Sequence, residues 1–339
     1  MSRPVVCGHR RVRESKARTL RRVAGALGIL ALLLFASGST SAQAPNDSQK
    51  PGVTPSPPKV ATALMQTRIW AAFDAGQALA EAKIIADFGP RPSGSDANKQ
   101  VRKHITDRLA VLGWQTTEQR LVEHAPDGQE VEFCNLSARC TRAQASTKRI
   151  LIGAHFDTPP ALDFRDAGAS DGAANTAVLI EIARVLTTDP KMAGNVELLF
   201  IDGDAPFREL NLNDGLFGSR YYAQMLHVSE HAADIQAAVL VGNAGGTTLN
   251  YLPNSTESVI DSFRKGATAI GVSLEPANRA MLSDHVPFAQ AGIPSITLLD
   301  ADSPYLQTAD DTVDRLNGDS IAKTGNLILY YIATETATR

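Results

Sequence analysis

His155, Asp157, Asp171 and Asp204 are the residues whose types and spacing could do chemistry. Residues 149–153 (RILIG) form a short apolar, β-branched run that reads as a buried strand. It leads into Ala154-His155-Phe156-Asp157, then a loop with two prolines, then Gly168-Ala169-Ser170-Asp171. After these, Ala177, Ile180, Ile182 and Leu186 set an apolar surface along a helix. An imidazole and two carboxylates are therefore expected where a strand stops and a helix starts. Open α/β sheets place ligand chemistry at such carboxyl ends, and these groups are the parts of a metal site or an acid–base site. The spacing alone fits a surface histidine with two loop aspartates better than a site. A second buried strand, 196–201 (VELLFI), ends in Asp202-Gly203-Asp204-Ala205-Pro206-Phe207. Further on, Ser283-Asp284-His285-Val286-Pro287-Phe288 adds an imidazole, and His285 reads either as a buried structural histidine or as a site residue. His104, His124, His227 and His231 read as surface.

The elements that must position these groups follow from periodicity. Residues 62–88 read mostly as helix, with Ile69, Trp70, Phe73, Leu79, Ile84 and Ile85 as core candidates, until GPRPSGS (89–95) breaks it. Ser95 can cap the next helix, where Val101, Ile105, Leu109 and Leu112 recur on one face and Gly113 ends the run. Residues 114–121 and 131–138 alternate as strands joined through Pro126-Asp127-Gly128. Residues 237–241 and 295–299 read as strands, 257–270 and 321–334 as helices, and 307–311 as a polar loop. This order predicts one α/β domain with a central mixed, mostly parallel sheet and helices on both faces.

The first 60 of the 339 residues do not read as fold. Residues 1–22 carry eight Lys/Arg and one Glu, and 23–36 (VAGALGILALLLFA) are apolar. Ser41-Ala42-Gln43-Ala44 offers a small-x-small cleavage pattern, so 1–44 read as a secretory signal, with an uncleaved anchor as the alternative. The apolar run is short of the roughly 20 residues a membrane span needs. Residues 45–60 are proline-rich and read as a disordered linker, leaving 61–339 as the domain. The chain is then exported, to the periplasm or the extracellular space. Cleavage after Ala44 leaves 25 basic against 35 acidic residues, a net charge of −10. Such a surface argues against nucleic acid or an anionic membrane as partner. Cys134 and Cys140 lie in what reads as one strand; six strand residues span about 20 Å, too far for a disulfide unless 135–138 turn sharply.

Four segments in order resemble one family: GAHFDT (153–158), GASDGAANTAVLIEIAR (168–184), LLFIDGDAPF (198–207) and SDHVPF…AGIPS (283–295). The family is that of the zinc-dependent aminopeptidases and, more closely, the glutaminyl-peptide cyclotransferases, or glutaminyl cyclases. DGLFGSRYYA (214–223) and PRPSGS (90–95) fit the same likeness, which spans residues 61–336. The resemblance implies a zinc-binding site at which the peptidases activate water against a peptide bond. In the cyclases it polarises the side-chain amide of an N-terminal glutamine while an acid carries the proton.

Carried onto this chain, the resemblance makes Asp171 a zinc ligand. His155 is the ligand of the two-zinc peptidases, with Asp157 as its partner. Asp204 takes the place of the proton-carrying acid, one methylene short. Ala205 and Gln307 occupy two further ligand positions, where a methyl group cannot bind zinc and an amide binds it poorly. A further family aspartate falls near Val239, and His285 lies beside the site. Zinc is thus the cofactor expected from the family, on a depleted set of ligands. Two functions follow. One is a protein that binds peptide or protein N-termini with little or no catalysis, a degraded relative of the enzymes. The other is an active glutaminyl-peptide cyclotransferase or metallo-aminopeptidase with a rearranged metal site.

Overall fold

The computed structural model describes residues 68–160 and 168–337. The expected leader (1–44), linker (45–60) and first helical residues (62–67) lie outside them. Eight strands form one sheet in the order β1-β2-β4-β3-β5-β8-β6-β7. These are β1 (Trp114–His124), β2 (Glu130–Cys140), β3 (Arg149–His155), β4 (Val196–Ile201), β5 (Ile235–Val241), β6 (Asn250–Tyr251), β7 (Glu275–Pro276) and β8 (Ser295–Leu299). The central strands β4, β3, β5 and β8 run parallel, while β1, β2 and β6 join antiparallel. The sheet is mixed with a parallel centre, as the order of elements predicts.

The parallel centre explains the unbroken apolar runs. A strand covered by helices on both faces has no solvent side on which to place polar residues. Every residue of β4 and β8 is buried. The one charged residue of β4 is Glu197, whose carboxylate is met by Arg149, Arg139 and the Tyr222 hydroxyl. One face of the sheet packs against α1 (Ala75–Ala86), α2 (Asp96–Val111), α3 (Asn175–Leu186), α5 (Glu257–Ile270) and α7 (Gly318–Ala337). The other packs against α4 (Phe217–Val228) and α6 (His285–Gln290), where Tyr222, Leu226 and Phe288 meet Leu151, Leu199 and Leu240.

Three readings are refined and a fourth holds. The predicted first helix is a 3-10 turn, Ile69–Ala72, followed by α1, because Asp74 caps α1 through the amides of Gly76 and Gln77. Ile84 is 45% exposed rather than core, since α1 turns Ala78, Ala82, Ile85 and Ala86 inward. The helices α4 and α6 escape a reading based on apolar periodicity; α6 has six residues and α4 starts inside a segment rich in glycine and polar side chains. Finally, β1 and β2 pair in register from Trp114↔Cys140 to His124↔Glu130, so Cys134 and Cys140 share one extended strand and both thiols are free. No helix among the described residues is long and apolar enough to cross a membrane.

Candidate active site

The carboxyl ends of the parallel strands converge on one cavity. It has a volume of about 130 Å³, and its wall includes His155, Asp171, Asp204, Asn243, Asp284 and Gln307. His155 is the last residue of β3. Asp171 arrives from the junction between that strand and α3. There the chain makes a wide helical turn, Ala169–Ala174, interrupted at Asp171 (φ −96°, ψ 87°) and Gly172 (φ 111°). Glycine is needed at 172: the backbone is left-handed, and an added Cβ would sit 2.8 Å from Arg91 Nη2 and 3.0 Å from the Asp157 carbonyl oxygen. The interruption turns the Asp171 carboxylate toward His155, with Nε2 to Oδ1 at 3.0 Å.

This pair is held on all sides. The Asp171 and Ser170 amides donate to Asp311 at 3.4 and 2.9 Å. Asn175 Nδ2 lies 3.3 Å from His155 Nε2, and the Gln307 amide donates to the Asp171 carboxylate. Behind them Arg91 is fully buried. Its Nε donates to the Phe156 carbonyl at 2.6 Å and its Nη2 to the Gly168 carbonyl at 2.8 Å. Burial draws the guanidinium down to about 10 against the pull of Asp157, Asp171 and Asp311, which leaves it charged at neutral pH.

The proton affinities follow from this crowding. Burial disfavours a charged His155 imidazole, but Asp204 and Asp171 outweigh it and hold His155 protonated well above the usual histidine range. Burial pushes Asp171 up, and the His155 charge and hydrogen bond more than reverse this, so Asp171 stays ionised. Asp204 and Asp284 are raised, first by burial and then by neighbouring carboxylates, against the pull of His155. The Asp284 Oδ1 atom is buried with no hydrogen-bond partner among the described residues. Close carboxylates cannot all ionise cheaply, so such a cavity favours an incoming cation.

Not every predicted residue faces this cavity. Asp157 is 2% exposed, and its Oδ1 accepts the Asp204 amide at 3.2 Å. It stands 3.6 Å from His155 Nδ1, beyond hydrogen-bond reach, and lines a neighbouring cavity, as does Ala205. His285 is fully buried and turned toward β8, its Nδ1 3.0 Å from Thr297 Oγ1. Val239 lies inside β5 and is fully buried. The residues at that strand end on the cavity are Val241, Gly242 and Asn243, none of them a carboxylate. Sequence reasoning missed Asp284, Asp311, Asn175 and Arg91. Asp284 was adjacent to a candidate residue, and Arg91 stood in PRPSGS; Asp311 reads as loop until α3 and the loop are brought together.

Among the described residues, no group of three or more His, Cys, Asp or Glu side chains is placed to hold one metal ion. The model of peptidase family M28 matches residues 135–332. The glutaminyl-peptide cyclotransferase of Bothrops jararaca is 25% identical over 284 residues, covering 71% of this chain and 76% of that protein. That of Drosophila melanogaster is 26% identical over 271 residues, covering 71% and 75%. Among solved structures, an Acidobacteriales bacterium glutaminyl cyclase superposes with a TM-score of 0.70 at 25% identity, covering 84% of this chain and 98% of that one. A Zn-dependent exopeptidase from Parabacteroides distasonis superposes at 0.66 and 21% identity, covering 77% and 98%, a likeness of fold.

Proposed function

Since this chain belongs to peptidase family M28, on the glutaminyl cyclase side of it, we propose that it is an exported protein that binds the N-termini of peptides or proteins at this cavity, with little or no turnover. The observation that carries the reading is the set of acceptors in the wall. Asp171, Asp204 and Asp284 offer an α-ammonium group three carboxylates, one with an unpartnered oxygen. A charged hydrogen bond to that oxygen would remove the desolvation cost of leaving it without a partner.

Zinc, which the name of a structural neighbour attaches to that exopeptidase, does not suit this wall. A catalytic zinc usually takes three protein ligands. Here His155 and Asp171 are the adjacent pair, already bonded to each other and to Asn175 and Gln307. Gln307 presents an amide, and Ala205 a methyl group on the neighbouring cavity. In this reading Asp171 binds the ammonium, Asp204 and Asp284 take or release a proton as it enters, and the Asp311 and Gln307 contacts hold Asp171 in place.

The second function keeps the family's chemistry: a cyclotransferase or aminopeptidase with a rearranged site. Asp204 favours it, because an acid with raised proton affinity stands in the wall where a proton carrier is needed. Metal analysis after dialysis of the purified domain separates the two. The binding reading expects well under one zinc per chain and no consumption of glutamine β-naphthylamide, with or without added zinc. Retention of one zinc per chain, or turnover abolished by a chelator, overturns it. Export is tested by the N-terminal residue of the purified protein, expected just after Ala44.

A further inference from the structure

The sheet ends differently on its two sides. At one edge lies β7, two residues long and containing Pro276, whose nitrogen has no hydrogen to donate. At the other lies β1, 11 residues long. Its strand partner among the described residues is β2 alone, in an unbulged register from Trp114↔Cys140 to His124↔Glu130. Residues 114–124 (WQTTEQRLVEH) contain neither proline nor lysine, two of the devices that keep an open edge from pairing.

The direction of the backbone groups follows from the two ends of the ladder. The Thr141 amide donates to the Gly113 carbonyl at 2.9 Å, and the Ala125 amide to the Gln129 carbonyl at 2.8 Å. Both pairs continue the register of β1 and β2, so the odd-numbered residues of β1 exchange hydrogen bonds with β2. Bonded and unbonded pairs alternate along an antiparallel ladder. The amides and carbonyls of Thr116, Glu118, Arg120 and Val122 therefore point away from the sheet, and no backbone group of the described residues meets them.

The side chains of this edge match an inverted copy of themselves. Glu118 and Arg120 are exposed on one face of the strand, with Gln119 between them. When a second copy lies antiparallel on β1 with the twofold axis at Gln119, Glu118 comes opposite the partner's Arg120 and Thr116 opposite the partner's Val122. These are the residues whose backbone groups face outward, so each such pair exchanges two backbone bonds with Cα atoms about 5.5 Å apart. Opposite charges so placed stabilise a strand pair, and like charges oppose it. With the axis one residue along in either direction, arginine faces arginine or glutamate faces glutamate. Within one chain Arg120 already bridges Glu118 and Glu132, so the partner's Arg120 brings a cation to two carboxylates that share one guanidinium.

We propose that the free edge of β1 is a homodimer interface, at which two copies of this chain join antiparallel about Gln119 into one continuous sheet. The interface shares no residue with the carboxylate cavity, and a failure to bind peptide N-termini there would leave it standing.

The test is sedimentation equilibrium of the purified chain. The wild type is expected to sediment at twice the chain mass. Glu118→Arg sets guanidinium groups opposite each other on both sides of the axis, and Arg120→Glu sets carboxylates there; each is expected to weaken dimerisation by about tenfold or more. Mixed in equal amounts, the two single variants restore opposite charges across the axis and are expected to form a heterodimer. The double variant, Glu118→Arg with Arg120→Glu, is expected to dimerise as the wild type does. Should a single variant lose its cooperative melt, hydrogen exchange in the wild type reads the same contact: the Glu118 and Arg120 amides should exchange more slowly at high protein concentration than at low. A wild type that sediments as one chain at every soluble concentration, a dimer insensitive to both single reversals, a mixture of folded single variants that stays monomeric, or exchange at these amides independent of concentration would each overturn the proposal.

Discussion

Gln307 donates to Asp171 from a backbone held at φ 55°, a left-handed conformation that costs a non-glycine residue on the order of 1 kcal/mol or more. Side chains of this kind persist where the surroundings over-determine them. Gln307→His would place an imidazole on the same backbone, which histidine tolerates better than most residues, within reach of Asp171 and His155. With three ligands on one wall, zinc affinity is expected to rise by about 10- to 100-fold, read by competition with a chromophoric chelator. An unchanged affinity would show that geometry, not the amide, limits the site. His285 makes a second residue-scale prediction. Burial strips water from its imidazolium and lowers its pKa from 6.5 to about 4. Between those values the unfolded chain binds the proton and the folded one does not, so stability falls as pH drops from about 6.5 toward 4 and levels off below. The loss is on the order of 3 kcal/mol. Urea unfolding at pH 7.5 and pH 5 should show the decline in the wild type and a flatter response in His285→Asn.

At the scale of elements, the site depends on how the end of β3 meets the start of α3. Arg91, from the segment between α1 and α2, bonds the Phe156 and Gly168 carbonyls on the two sides of the intervening loop. Its charge faces Asp157, Asp171 and Asp311. Arg91→Leu would leave carbonyl acceptors and carboxylates buried without it, and a loss of about 3–5 kcal/mol in urea unfolding is expected. A similar closeness governs α4. A Cβ at Gly218 would overlap Asn135 Oδ1 and the Asp202 carbonyl oxygen, so the first turn of the helix can lie on β2 and β4 only as glycine. Gly218→Ala is expected to cost about 1–3 kcal/mol, measured in the same way. Asp202, at the end of β4, is buried among Ser93, Asn98 and Cys134. Its carboxyl, raised to about 7 chiefly by burial, fastens the loop before α2 to the sheet.

For the whole molecule, the proposed function couples binding to stability. A ligand that binds the folded state alone stabilises it by mass action. A peptide with a free N-terminal glutamine, at about 100 times its Kd, should add about 2.7 kcal/mol to the unfolding free energy. Its N-acetylated twin, lacking the ammonium, should add nothing. Equal stabilisation by both peptides would count against N-terminus recognition at the carboxylate wall.

Much of this architecture was legible in the linear chain. Runs such as VELLFI and SITLL could be read as buried strands because the parallel centre of a two-faced sheet leaves no polar side, and 196–201 and 295–299 fall where that reading places them. His155 and Asp204 were legible because residues at the carboxyl ends of neighbouring parallel strands share one edge, and Asp171 because the helix that follows β3 starts beside that edge. Only the tertiary structure decided which side of that edge each one faces. Asp157 and Ala205 turn to one cavity and His155 and Asp204 to the other, although all four belong to two short strand-end segments. It also decided that Asp284 rather than His285 reaches the wall, that Asp311 from a loop 140 residues away carries the Asp171 amide, and that Arg91 lies behind both. The physical reason is that strand and helix periodicity is a local property of the chain. Side-chain direction at a strand end, and the pairing of buried charges, depend on neighbours that only folding supplies.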